Sequence, residues 1–200
     1  MPKQPTHLNI RQRIAIQAAQ LIARHHISFA RARDKAAKRL NCTDPHQLPE
    51  NREIEAALRD HQQLFQATRQ PEQLKSLRKA ALNAMRSLKS FNPLLIGQVL
   101  SGTAFQHTPI EIILFADTNE EVILELMAQR IPWRQREIRA DYTQKKHVKR
   151  SILSFIAGED EIHLLILPIA DRHNLPLDPI ERRPHKGASI NKVLKMLDPD

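Results

Sequence analysis

A single cysteine, a single tryptophan and a single tyrosine in 200 residues remove several classes of protein at the outset. Cys42 alone closes no internal disulfide and no cysteine-rich zinc site, which suits a reducing, cytoplasmic setting. It sits beside Asp44, a poor place for lowering a thiol pKa, so it is not read as a nucleophile. There is no run of about 18 apolar residues, so no membrane span is expected, and Met1-Pro2-Lys3-Gln4-Pro5-Thr6-His7 has no apolar signal core. The Gly-x-x-x-x-Gly-Lys-Ser/Thr, Gly-x-Gly-x-x-Gly and His-Glu-x-x-His patterns are all missing, and so is Gly-x-Ser-x-Gly. Sequence-selective binding of single strands normally needs exposed aromatics. The six phenylalanines mostly fall in apolar patterns, leaving Trp133 and Tyr142 as the residues able to stack on bases.

What the chain has is positive charge, unevenly placed. The formal net charge is +9. Met1 to Phe91 carries 17 Lys and Arg against 7 Asp and Glu, whereas Asn92 to Asp200 carries 14 against 15. A basic half of this kind implies either a polyanionic partner such as RNA, DNA or nucleotide phosphates, or an ordinary solvated helix surface.

Apolar spacing of three and four predicts a long helix over 9–40, straight or bent in the middle, with Ile14, Ala18, Leu21, His25, Phe29, Ala32, Ala36 and Leu40 on its inner face. His25 is then a packed histidine. Arg24, Arg31, Lys35 and Lys38 form a basic stripe on another side and are the candidate nucleic-acid contacts. A second helix is expected over 50–67 and a third from Pro71 to Leu88. The three either form a bundle or wrap around the second half. After Asn92-Pro93 the pattern changes to short apolar runs. Strands are expected over 94–100, 110–116, 133–140, 148–157 and 161–167. Gly158-Glu159-Asp160 reads as a hairpin turn, Thr118 to Glu121 as a capping box opening a helix, and Ser189 as the cap of a last short helix. The fold expected is α/β (α+β): a basic helical region, 1–91, followed by a mixed, about five-stranded sheet domain, 92–200.

The stretch from Leu95 to Asp117 carries the strongest chemical suggestion. Ser101-Gly102-Thr103 offers backbone N–H groups and two hydroxyls for phosphate oxygens. A carboxylate on the next strand, Glu111, can hold a divalent cation against those oxygens. Strand, small-residue turn and acidic strand in this order resemble the nucleotidyltransferase superfamily that includes polymerase β. The likeness covers roughly 92–167. In that family two acidic residues separated by one precede a third carboxylate, and two metals position the nucleotide for attack by a hydroxyl. Here Pro109 stands at the first acidic position and Glu111 at the second, while Glu161 or Asp160 supplies the third.

The resemblance implies that Glu111 and Glu161 act as catalytic metal ligands for Mg²⁺ or Mn²⁺. It also implies that Ser101, Gly102 and Thr103 hold the phosphates of a nucleoside triphosphate, helped by Lys145, Lys149 and Arg182. A protein of this type either transfers a nucleotide to an acceptor or keeps only the binding site. His107 and His163 are further candidates for metal or proton, with chance placement the stronger reading of each. The competing reading is a non-catalytic nucleic-acid or protein-binding module that uses the basic helices.

Overall fold

The computed structural model describes residues 9–25, 27–65, 69–104, 108–143 and 147–198, with 62–65 and 69–70 described by backbone alone. Its contacts divide the chain into two compact units that meet in sequence between Thr68 and Arg69.

The first unit is helical. The periodicity that predicted one helix over 9–40 is interrupted, giving α1 (Ile10–His25) and α2 (Phe29–Arg39). Ser28 explains the interruption: its backbone is extended and its hydroxyl accepts from Arg31 N–H at 3.4 Å, a helix start placed inside the apolar pattern. Helix α3 spans Asn51–Phe65, and α1 packs on both α2 and α3. Ile14, Ala18, Leu21, Ala32, Ala36, Ile54 and Leu58 are buried as the spacing requires. His25 is exposed; it ends α1, where the inner stripe stops, and so is no core histidine. A two-bond clamp ties α1 to the start of α3. Arg11 donates to Glu53 through Nε at 2.8 Å and Nη2 at 2.7 Å, and Glu53 also accepts from Glu50 N–H at 2.7 Å. The Arg11 hydrogen bonds hold the Glu53 carboxyl below its usual range.

The second unit is a mixed five-stranded sheet with helices. Helix α4 (Arg69–Ser87) belongs here, since Leu77, Ala81, Met85 and Leu88 share one core with the strands. Of the two arrangements open to the third helix, packing on the α/β half is therefore the one adopted. Strand β1 (Leu94–Ile96) is shorter than the apolar run 94–100 suggested. Gly97 takes φ +70°, and a one-turn helix α5 (Gly97–Ser101) follows. A short apolar run does not by its pattern alone separate strand from buried helix, and the left-handed glycine decides. Then come β2 (Ile110–Phe115), α6 (Asn119–Ala128), β3 (Arg134–Asp141), β4 (His147–Ala157), β5 (Asp160–Leu167) and α7 (Ile190–Leu197).

The sheet order is β1-β2-β5-β4-β3. The central pair β2 and β5 is parallel and every other pair antiparallel. Gly158 takes φ +67° between the paired ends Ala157 and Asp160, as a tight hairpin requires. Glu121 accepts from Thr118 N–H at 3.2 Å, the back-reaching half of the capping box. One sheet face, built from Ile110, Ile112, Leu114, Leu164 and Leu153, is closed by α4, α6 and α7 into the main core. The other face carries a smaller cluster around Ile96, Ile113, Leu165 and Ile152. No helix among the described residues is long and apolar enough to cross a membrane.

Candidate ligand cavity

Residues two apart on a strand share a face, so the smaller cluster continues along the sheet into Glu111 and His163. These two are register partners on the parallel strands β2 and β5. Over them runs the segment 174–188, which crosses the sheet as a strap tied at both ends. Leu177 N–H donates to Asp141 O at 2.7 Å at the end of β3. Ala188 N–H donates to Leu95 O at 2.8 Å at β1, and Leu95 N–H returns a bond at 2.9 Å. Within the strap, Asp178 Oδ1 accepts from Ile180 N–H at 2.7 Å and Glu181 N–H at 2.8 Å, a side-chain turn that Pro179 prepares. The other carboxylate oxygen faces His185 Nδ1 at 3.4 Å, with the His185 side chain only 9% exposed. Burial pushes the His185 pKa down, against the pull of Asp178.

Between strap and sheet lies a cavity of ≈ 260 Å³. Its sheet wall is Ile96, Ile138, Ile152 and Leu165, its outer wall includes Leu177 and Ile180, and Glu111 and His163 mark its polar end. A second cavity of ≈ 320 Å³ adjoins it and shares Ile96, Gly97, Asp178 and His185. That one is bordered by Ser101, Arg183 and Lys186. Glu181 lines the second cavity as well, so Arg183 and Lys186 face two carboxylates there, and the buried Asp178–His185 pair borders both cavities.

Glu111 is held by close packing. A Cβ at Gly97 would collide with its carboxylate, so only glycine fits there. No hydrogen bond from a described residue reaches the Glu111 carboxylate. Burial pushes its pKa above the ordinary carboxylate value, His163 pulls it back, Asp178 adds to the rise and Arg136 opposes it. His163 is committed on both nitrogens. Arg136 Nη2 lies 3.4 Å from Nδ1 and can only donate, so Nδ1 accepts and Nε2–H is left to donate to Glu161 Oε1 at 3.0 Å.

The structure brings together only some of the residues singled out in the sequence. Glu111 and Arg182 line the first cavity, and Arg182 also reaches Asp141 Oδ2 at 3.4 Å. Ser101 borders the second cavity. Glu161 shares the sheet face of His163 but does not line the Glu111 cavity; its side chain is 48% exposed. Lys149 projects on the opposite face, opposite Arg139 in register, and pairs with Glu137 at 3.3 Å. Lys145 and His107 lie outside the described residues.

The Ser101-Gly102-Thr103 segment forms a helix C-terminus instead of an open turn. It ends α5, with Gly102 at φ +87°. The N–H groups of Gly102 and Thr103 are both spent on Gln98 O, at 3.0 and 3.1 Å. Thr103 is buried with its hydroxyl 2.8 Å from that of Ser101. Beneath the turn Arg78 donates to the carbonyls of Val99 and Leu100 at 3.3 and 3.4 Å, the partner a helix C-terminus calls for.

The metal expectation meets a similar shortage of donors. Pro109 brings no ligand, Glu161 accepts from His163, and no group of three or more His, Cys, Asp or Glu among the described residues is arranged to hold a metal ion. Two-metal chemistry requires several convergent carboxylates, and these residues do not fit it.

For a nucleic acid, the basic residues stand differently. Arg24, Arg31, Lys35 and Lys38 are all exposed, although Arg24 lies on α1 and the other three on α2. The two aromatics differ. Tyr142 is buried under the Arg150 guanidinium, whereas Trp133 is partly buried, packs against the main core and lines a surface groove with Arg134 and Phe155.

Sequence reasoning missed Gly97 and the strap. The only available signal was Asp178-Pro179, a turn opener inside a stretch whose prolines and charges suggested nothing more specific. No family model, no curated protein and no solved structure matches the chain.

Proposed function

We propose that the sheet unit is a nucleotide-binding domain of nucleotidyltransferase type that has kept a ligand site and lost the carboxylates needed for two-metal transfer. The observation that carries this reading is the pair of adjoining cavities. One has largely aliphatic walls suited to a flat ring, and the other is bordered by Arg183 and Lys186, which can meet a phosphate, beside the carboxylates of Asp178 and Glu181. The order of strand, turn and acidic strand over 94–115 adds the resemblance to that superfamily. Pro109 at its first acidic position and the engagement of Glu161 by His163 weigh against transfer. In this reading the phosphates lie against Arg183 and Lys186 rather than on Ser101-Gly102-Thr103, and Mg²⁺ or Mn²⁺ is dispensable for affinity.

Calorimetry with nucleoside mono- and triphosphates, with and without Mg²⁺ or Mn²⁺, tests the reading. Binding is expected in both conditions and is expected to weaken when Arg183 and Lys186 are both changed to Glu. No binding of any nucleotide at about 1 mM, a free energy weaker than about −4 kcal/mol, would overturn it. Affinity that appears only with metal would restore the metal site the donor geometry argues against.

A second reading rests on the exposure of Arg31, Lys35 and Lys38 on α2, none of which has an ion pair among the described residues. In this reading the helical unit binds RNA or another polyanion through its charge. Changing the three to Glu should then flatten the dependence of RNA affinity on salt; an unchanged slope would place any RNA binding elsewhere.

A further inference from the structure

We infer that Glu111 reads the base of the bound nucleotide, and that the base it selects is guanine, entering the apolar cavity with its Watson–Crick edge toward the carboxylate. The inference rests on the nucleotide-binding reading and adds the orientation and identity of the ligand.

The first support is the state of the carboxylate. Glu111 lies at the end of a cavity, receives no hydrogen bond from a described residue, and is fixed in place by its packing on Gly97. A partly buried carboxylate that no donor meets gains from a ligand that brings hydrogen-bond donors to it. The second is the charge around it. Asp178 is already bonded to its own strap and to His185, and Asp141 to His147 and Arg182. Glu111 is therefore the acceptor at this end still open to a ligand. The third is shape. Ile96, Ile138, Ile152 and Leu165 from the sheet and Leu177 and Ile180 from the strap line a space of ≈ 260 Å³ with aliphatic surfaces that suit the face of a ring.

A carboxylate with two oxygens side by side pairs with two N–H donors side by side. Guanine presents that pattern through its ring N1–H and exocyclic amino group. Adenine and cytosine each present one amino group beside a ring nitrogen that accepts, so one oxygen would face a lone pair. Uracil presents one N–H between two carbonyls. Hypoxanthine keeps the ring N–H and lacks the amino group, which makes it the discriminating probe. With a phosphate directed toward Arg183 and Lys186, this places the base in the interior and the phosphate outward.

The experiment is calorimetry of GMP, IMP, AMP, CMP and UMP on the full chain and on Glu111→Gln, with thermal melts confirming that the variant folds. GMP is expected to bind the native chain about 10-fold or more tighter than AMP, CMP and UMP, with IMP between, as a bidentate base contact implies. In Glu111→Gln the guanine preference should collapse, while AMP and CMP should bind at least as well as before, because the amide N–H can meet the accepting ring nitrogen beside their amino group. Equal affinity for all five on the native chain, or a guanine preference that survives in Glu111→Gln, would overturn the inference and leave the nucleotide site standing. Absence of binding by all five would remove the nucleotide site and this inference together.

Discussion

The two faces of strands β2 and β5 are built from alternating residues of the same short segments, and they have opposite fates. Ile110, Ile112 and Leu114, with Ile162, Leu164 and Ile166, turn to a face that three helices seal. Glu111, Ile113 and Phe115, with His163, Leu165 and Leu167, turn to a face covered by a hydrogen-bonded strap instead. A helix brings an apolar stripe that interlocks with a sheet. A strap of prolines and charged residues cannot fill the space evenly, and cavities remain under it. The difference shows where a small α/β unit keeps a site: under the poorly packed cover, at the point where a carboxylate replaces the aliphatic residue that alternation would otherwise place there.

The largest effect should come from removing bulk on the sealed face. Leu164→Ala deletes a fully buried side chain and is expected to cost about 2–5 kcal/mol. Its neighbour Leu165, which borders the cavity, should cost less on truncation, because part of what it loses is contact with empty space. Urea denaturation of the two variants measures the contrast. Equal losses would mean that the strap packs as tightly as the helices.

Much of this contrast was legible in the sequence, for a physical reason. The runs Ile110 to Phe115 and Ile162 to Leu167 are nearly continuous in apolar residues, as central strands covered on both faces must be, and the hairpin and capping signals are local. What alternation could not supply was the strap, whose place depends on bonds from Leu177 to Asp141 and from Ala188 to Leu95 across long sequence separations. Nor could it show that Ser101-Gly102-Thr103 closes a helix. A small-residue turn reads the same whether its N–H groups are free or already bonded to Gln98 O. The helical stretch expected over 9–40 breaks in its middle into two helices for a related reason: apolar spacing carries on through Ser28, and only the local capping bond shows where the break falls.

The next effect in size concerns the carboxylate itself. Glu111 has a folded pKa raised chiefly by burial, so the folded state binds its proton more tightly than the unfolded chain. Stability therefore falls as pH rises from the ordinary glutamate value of about 4.3 to the raised one, and stays reduced above it. Glu111→Gln cannot ionise and is freed from this loss. Relative to the native chain it should gain stability progressively above that ordinary value, and the difference between the two should be flat below it. Urea midpoints across pH 4 to 8, without ligand, supply the measurement. A difference independent of pH would show that the carboxylate is solvated as freely as a surface one.

The smallest effect should come from Glu161, the carboxylate paired with Glu111 in the sequence reading and parted from it by the structure. Both lie on the strap side of the sheet, with His163 between them along the strands. Glu161 is half exposed and accepts one bond from a histidine whose other nitrogen already serves Arg136. Its charge is screened by water, and an amide oxygen can take the same bond from Nε2–H. Glu161→Gln is therefore expected to shift stability by no more than about 0.5 kcal/mol. Thermal melts beside those of Glu111→Gln decide it. A loss on the scale of the core truncation would mean that Arg136, His163 and Glu161 act as one network holding the cavity end together. In that case the two carboxylates would form a single site, as the family resemblance first implied.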